Sequence, residues 1–94
     1  MNELAYGGFW RVERQRIVAG RHARLRLHFL ARNIYLVLGG HGRLALFVNG
    51  QPAGQIRISG ISRLYTLQKY ARVRGGLLEL RFTRGLFAYA FTFG

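Results

Sequence analysis

Leu86-Phe87-Ala88-Tyr89-Ala90-Phe91-Thr92-Phe93-Gly94 closes the sequence, with aromatics at every second position from Phe87 to Phe93. Successive side chains of a strand point to opposite faces. This period therefore predicts a strand with one aromatic face, Phe87, Tyr89, Phe91 and Phe93, and one slim face of Leu, Ala, Ala and Thr. Such an apolar strand at an open sheet edge would template aggregation. It is expected to insert between other strands and close the fold, with its aromatic stripe supplying core contacts.

Working back from it, Arg84-Gly85 reads as a turn, and Leu77 to Thr83 alternates with Leu78, Leu80 and Phe82 inward. Arg63 to Gln68 is a further strand with Tyr65 and Leu67 on one side and Leu64 on the other. Lys69 to Gly76 reads as a basic loop containing Tyr70. Asn49-Gly50 is the strongest local signal, because Asn-Gly supplies the positive φ angles of a type I′ hairpin turn. Arg43 to Val48 enters that turn with Leu44, Leu46 and Val48 inward. Gln55 to Ile58 leaves it with Ile56 and Ile58 inward, and Ser59-Gly60 breaks the strand. Pro52 cannot donate to a ladder and belongs in the connection or at an edge.

The first half carries the same pattern. Ala23, Leu25, Leu27, Phe29 and Ala31 share one face, and Arg24, Arg26, His28, Leu30 and Arg32 the other, as in a half-buried strand with one wet, basic side. Asn33 to Leu38 is apolar on both sides and reads as central. Gly39-Gly40-His41-Gly42 reads as a loop. Phe9 to Val12 and Arg14 to Val18 are the opening strands, entered by a turn at Gly7-Gly8. Eight or nine short strands about ten residues apart, without a helical period, argue for an all-β sandwich or barrel forming a single domain over residues 1–94.

Composition agrees. Half of the 94 residues are hydrophobic, enough for a modest core and too many for a disordered chain. The absence of cysteine removes disulfides, thiolate chemistry and cysteine-based metal sites together. The apolar run at 33–40 is far short of a membrane helix. Met1 leads into Asn2 and Glu3, so no leader pattern is visible. Fifteen basic residues, of which fourteen are Arg, face three acids, for a net charge of +12. That balance fits an anionic partner, or else solvated strand faces.

Catalysis and cofactor binding find little support. Glu3, Glu13 and Glu79 are too few and scattered for a carboxylate pair, and no nucleophile–base order is evident. His22 and His28 share a face, but Arg24 and Arg26 stand between them and would repel a cation. The glycine run at 39–42 precedes a strand, whereas a phosphate-cradling loop precedes a helix.

Several stretches carry a family likeness in the same order. They are Gly8-Phe9-Trp10, the run Ala31-Arg32-Asn33-Ile34-Tyr35-Leu36-Val37-Leu38-Gly39, Arg63-Leu64-Tyr65-Thr66-Leu67, Leu77-Leu78-Glu79-Leu80-Arg81-Phe82, and Ala88-Tyr89-Ala90-Phe91-Thr92-Phe93-Gly94. Together they resemble the C-terminal domain of DipZ-type thioredoxin-like proteins over nearly the whole chain. The resemblance implies a jelly-roll β-sandwich like a carbohydrate-binding module. It further implies a place after a thioredoxin-like domain outside the cytoplasm, sometimes behind a cytochrome c biogenesis membrane region. The family assigns no catalytic residue to this domain. The thioredoxin-like half is missing, so the chain reads as a fragment, a mispredicted start or a free-standing accessory domain. Its expected role is a non-catalytic binding or docking module, with a glycan or a thioredoxin-like domain as partner. An arginine-rich anion- or nucleic-acid-binding domain, or a purely structural domain packed on a redox partner, is the alternative.

For a glycan, Tyr35, Tyr65 and Tyr70 are the stacking candidates, with Trp10 behind them, since such rings pair an apolar face with a polar tip. Trp10 also reads as core, and Tyr35 and Tyr65 as boundary core residues. For an anion, Arg24 and Arg26 lead, with Arg43, Arg57 and Arg81 also on outward strand positions. A sandwich has two outer faces, and the sequence does not place these arginines on one of them.

Overall fold

A computed structural model describes residues 3–94, so the reading of Met1 and Asn2 lies outside the described residues. Alternation dictates strands, and the described residues form strands and turns with no helix. The elements are β1 (Glu3–Gly7), β2 (Trp10–Val12), β3 (Ile17–Ala19), β4 (Arg24–Val48), β5 (Gln51–Phe82) and β6 (Phe87–Phe93). All pairings are antiparallel.

β4 and β5 are one long hairpin wound around the molecule. Asn49 and Gly50, with φ of 51° and 82°, form its tip, as the Asn-Gly signal requires. Residues 24–31 of β4 pair with 74–81 of β5, residues 33–38 pair with 63–69, and residues 40–48 pair with 51–60. The winding brings 44–48 back against 78–82, so the end of β5 has β4 on both sides. The result is two leaves. The first runs β1, β4 (24–31), β5 (74–82), β4 (43–48), β5 (51–58). The second runs β5 (63–69), β4 (33–39), β6, β3, β2.

Between the leaves lies the core. Leu25, Leu27, Phe29, Leu44, Leu46, Ile58, Leu78, Leu80 and Phe82 come from the first leaf, and Ile34, Leu36, Leu38, Leu67 and Ala88 from the second. At roughly 1.5–3 kcal/mol for each fully buried large aliphatic side chain, this layer is the main stabilising term.

Several expected strand ends prove to be bends. Gly39–Gly42, Ser59-Gly60 and 69–76 are not loops; the ladder continues through them with register shifts. Gly40 pairs Gly60 where the hairpin turns from one leaf to the other. Ala31 pairs Arg74 while Asn33 pairs Lys69, so residues 70–73 of β5 face the single residue Arg32 at that bend. A bulge exchanges the faces of a strand. Hence the buried positions of β4 switch from 25, 27, 29 and 31 to 34, 36 and 38 across Asn33.

β6 lies between β4 and β3, closing the second leaf. Its aromatic stripe does not stay on one face. Leu86 and Ala88 are buried, whereas Phe87 and Tyr89 point outward. The register then slips between Leu36 and Leu38, and Phe91 and Phe93 turn in against the core. β1 was not foreseen as a separate strand. It pairs Leu4 with Leu27 and Tyr6 with Leu25, and so forms one edge of the first leaf.

Candidate functional site

The leaves part where β1 is the edge of one and β6, β3 and β2 lie in the other. Leu4 and Tyr6 take the inward face of β1, opposite Leu27 and Leu25. Both stay exposed, Tyr6 to 56%. The turn between β2 and β3, residues 13–16, curls across the same opening. The bulge in β6 leaves Tyr89 and Ala90 exposed beside it. These elements enclose a cleft of about 350 Å³. Its floor is apolar, with Ile17, Leu25, Leu36, Ala88 and Phe91. Its rim is polar and aromatic, with Tyr6, Glu13, Arg14, Gln15, Arg16 and Tyr89. A second hollow of about 370 Å³ shares Glu13, Arg14, Gln15, Arg16 and Tyr89, so the two adjoin along the turn.

The rim is held in place by its own charges. Glu13 bridges Arg16 at 2.7 Å and Arg11 at 2.8 Å. The hydrogen bond from Arg16, helped by Arg11, holds the Glu13 carboxyl below its ordinary value, so it is ionised at neutral pH. Arg16 also lies over the Phe87 ring at 4.2 Å. The Tyr89 phenol is held below its usual range by hydrogen bonds from Ser62 and then Arg16. Its ring packs edge-on against Phe87 at 6.0 Å and is 39% exposed. A tyrosine fixed at its hydroxyl, with its ring open to solvent, loses little freedom on contacting a ligand.

The aromatics singled out in the sequence are dispersed. Trp10 donates its indole N–H to the Gly7 carbonyl at 2.9 Å and packs edge-on against Phe82 at 4.9 Å and Tyr6 at 6.0 Å. Its ring is occupied by packing. Tyr65 leans on the core under the Arg63 guanidinium, which donates to its hydroxyl at 3.1 Å. Tyr70 stacks on Phe29 at 6.1 Å, and its hydroxyl is buried with no hydrogen-bond partner among the described residues. Tyr35 stands on the outer face of the second leaf, opposite Thr66 and Thr92. None of these lines the cleft. Tyr6, Gln15 and Tyr89, which do, come from an edge strand, a turn and a bulge.

The arginines are gathered instead. Arg24 lies opposite Arg81, Arg26 opposite Glu79, Arg43 opposite Arg57, and Ala45 opposite both Arg81 and Gln55. Opposed residues of a ladder share a face. Arg24, Arg26, Arg43, Arg57 and Arg81 therefore all stand on the outer face of the first leaf. Glu79 bridges Arg26 at 2.9 Å and Arg81 at 2.6 Å. Among the described residues no group of histidine and acidic side chains could hold a metal. No helix there is long and apolar enough to cross a membrane.

The architecture is thus that of an antiparallel β-sandwich with a cleft at one open edge and an arginine-bearing outer leaf. A family model described as the thioredoxin-like C-terminal domain matches residues 1–94, and the chain belongs to that family. It is 32% identical over 94 residues to the protein DipZ of Mycobacterium bovis and equally to that of Mycobacterium tuberculosis. Those matches cover 99% of the chain and 13% of each relative, so the chain spans a small part of their length. The fold is also that of part of a family two carbohydrate esterase from Clostridium thermocellum, solved in complex with cellohexaose. There the TM-score is 0.83 at 18% identity, over 98% of this chain and 31% of that one. A family two carbohydrate esterase from Cellvibrio japonicus gives a TM-score of 0.82 at 9% identity, over 97% of this chain and 33% of that one. At these identities the likeness is one of fold alone.

Proposed function

We infer that this domain is a non-catalytic accessory module of an extracytoplasmic thioredoxin-like system, and that it binds a neutral glycan in the cleft between β1 and β6. The observation that carries this reading is the make-up of the cleft. An apolar floor lies under a rim where two exposed tyrosines stand among Gln15, Arg14 and Glu13. A sugar ring offers an apolar face and a fringe of hydroxyls. Tyr6 and Tyr89 meet the first, and the amide, guanidinium and carboxylate meet the second. The volume is that of a small-molecule site, and the adjoining hollow extends it along the turn in a way that suits a chain of sugar rings. The complex of the Clostridium thermocellum esterase with cellohexaose gives the same fold a carbohydrate context. Family membership supports the accessory role, and no acid of the cleft has a second acid beside it in the rim.

The test is calorimetric titration with neutral cello- and chito-oligosaccharides. Binding is expected to be weak, nearly indifferent to salt, and weakened about tenfold, or ~1.4 kcal/mol, by Tyr89→Ala or Gln15→Ala. Loss of the same size with Tyr35→Ala and none with Tyr89→Ala would move the site to the outer face of the second leaf.

A second reading is docking onto a thioredoxin-like domain. It is favoured by the outer face of that leaf, where Leu64 is 55% exposed beside Tyr35, Val37 and Phe87. No neutral-glycan binding, together with an association lost on Leu64→Asp, would support it in place of the glycan reading.

A further inference from the structure

The outer face of the first leaf lies away from the cleft and is independent of its reading. Its register carries two pairs of like charges directly opposite one another, Arg24 with Arg81 and Arg43 with Arg57. Like charges opposed across a ladder destabilise a sheet. Glu79 offsets part of this cost. Its side chain is only 14% exposed, and it bonds Arg26 and Arg81 at once. Arg24, Arg43 and Arg57 form no ion pair among the described residues. Arg24 reaches across β1 over Gly7, where even a methyl group would meet its Nε at 2.7 Å. Arg81 is held over the Phe47 ring at 4.4 Å. Between these side chains lies a hollow of about 430 Å³, lined by His22, Ala23, Arg24, Arg26, Glu79, Arg81 and Phe82. The guanidinium groups are thus positioned by the sheet, and Glu79 counters only Arg26 and Arg81, leaving Arg24, Arg43 and Arg57 without an ion pair among the described residues.

We propose that this leaf is a second binding face, for a polyanionic polysaccharide whose carboxylates recur along the chain. Planar guanidinium forks match carboxylates bidentately, and rows of arginines on adjacent strands present several such forks to one extended ligand. Bound carboxylates would also relieve the opposed Arg–Arg pairs. Nucleic acid fits the face less well. Single strands are held by stacking on open aromatic rings, and the Phe47 ring here is covered by Arg81. Duplex DNA is read by a helix or a two-stranded ribbon entering a groove, and this face is one broad leaf.

The test uses oligogalacturonate, its methyl-esterified form and a DNA duplex of equal charge, titrated into the full chain at low and physiological salt. Oligogalacturonate is expected to bind, to raise the melting temperature, and to lose most of its affinity on esterification. Arg24→Gln with Arg81→Gln should weaken it about tenfold or more at low salt. Arg43→Gln with Arg57→Gln should act in the same direction. Removal of the same charge elsewhere, by Arg63→Gln with Arg72→Gln, should cost less than about threefold. Each variant's melting temperature without ligand checks its folding; the Arg43–Arg57 pair should hold or gain stability, whereas the Arg24–Arg81 pair also gives up the Arg81–Glu79 bridge and is compared only where it remains folded. Equal losses from all three pairs would reduce the effect to net charge and overturn the proposal. Tighter binding of DNA than of oligogalacturonate, or no binding of oligogalacturonate, would overturn it as well.

Discussion

Gly8 is the residue on which the join between the two leaves turns, and Gly8→Ala is the substitution most exposed to refutation. It follows β1 of the first leaf and precedes β2 of the second, with φ of 74°. A Cβ placed there would press into the carbonyl of His22 and lie 2.9 Å from the Ala23 nitrogen, which are backbone atoms and not movable side-chain tips. The surrounding chain is pinned by the Phe9 N–H donating to the Arg21 carbonyl at 3.0 Å and the Gly20 N–H donating to the Phe9 carbonyl at 2.9 Å. The left-handed conformation costs an L-residue about 1–2 kcal/mol. Forcing the neighbouring backbone aside adds about 1–3 kcal/mol. The sum, about 2–5 kcal/mol, is a large share of the ~5–14 kcal/mol expected for a domain of this length. It corresponds to a fall in melting temperature of about 8–40 °C, read by far-UV circular dichroism. Gly50→Ala is the matched control. Its φ is 82°, but nothing lies within 4 Å of the added carbon. It should cost only the conformational part, about 1–2 kcal/mol or about 4–16 °C. If Gly8→Ala proves no worse than Gly50→Ala, β1 does not meet residues 22–23 as described. Tyr6 would then have no fixed place in the cleft.

Other expectations follow from single contacts. Asn49 both adopts a positive φ and accepts the Leu77 N–H on its side-chain oxygen at 2.9 Å; Asn49→Ala should cost about 1–2 kcal/mol in urea unfolding, and Asn49→Gly less, because glycine keeps the turn. Phe91 faces the core beyond the bulge and Phe87 does not, so Phe91→Ala should lower the urea midpoint more than Phe87→Ala; the reverse order would place the bulge wrongly. Glu79 has its carboxyl held down first by Arg81 and then by Arg26. A depressed folded value stabilises the fold above the unfolded value of 4.5 and is lost as pH falls through the folded one. Glu79→Gln should therefore lower stability at neutral and alkaline pH and flatten the decline below about pH 4.5; an unaltered acid limb would show that the bridge does not form.

Where side chains alternate without interruption, the fold is legible in the sequence. The inward sets at 23–31, 44–48 and 78–82 lie where period two puts them, and Asn49-Gly50 makes the hairpin. Legibility fails at the bulges. A single extra residue reverses the faces of everything after it, and nothing local at Asn33 or Tyr89 announces that reversal. The glycines at 39–42 and 60 read as loops because Gly breaks a strand on average. Here they let a continuous ladder bend from leaf to leaf. The cleft was hidden for a different reason. Tyr6, Gln15 and Tyr89 are far apart in sequence and unremarkable singly, and only the β1–β4 and β3–β6 pairings bring them to one opening. The converse holds for the arginines. Their outward phase was plain, but their gathering on one leaf depends on β5 returning between the two halves of β4.

The glycan reading is tested most directly by following backbone amide shifts while a neutral oligosaccharide is titrated at about 50 and about 200 mM salt. Several charge contacts to a polyanion would weaken by orders of magnitude across that range, whereas stacking on tyrosine would hold. The account predicts perturbations confined to residues 13–17 and 88–91 with Tyr6, unchanged between the two salt concentrations. Perturbations centred on 24–26 and 79–81, or none anywhere with saturating oligosaccharide, would contradict it.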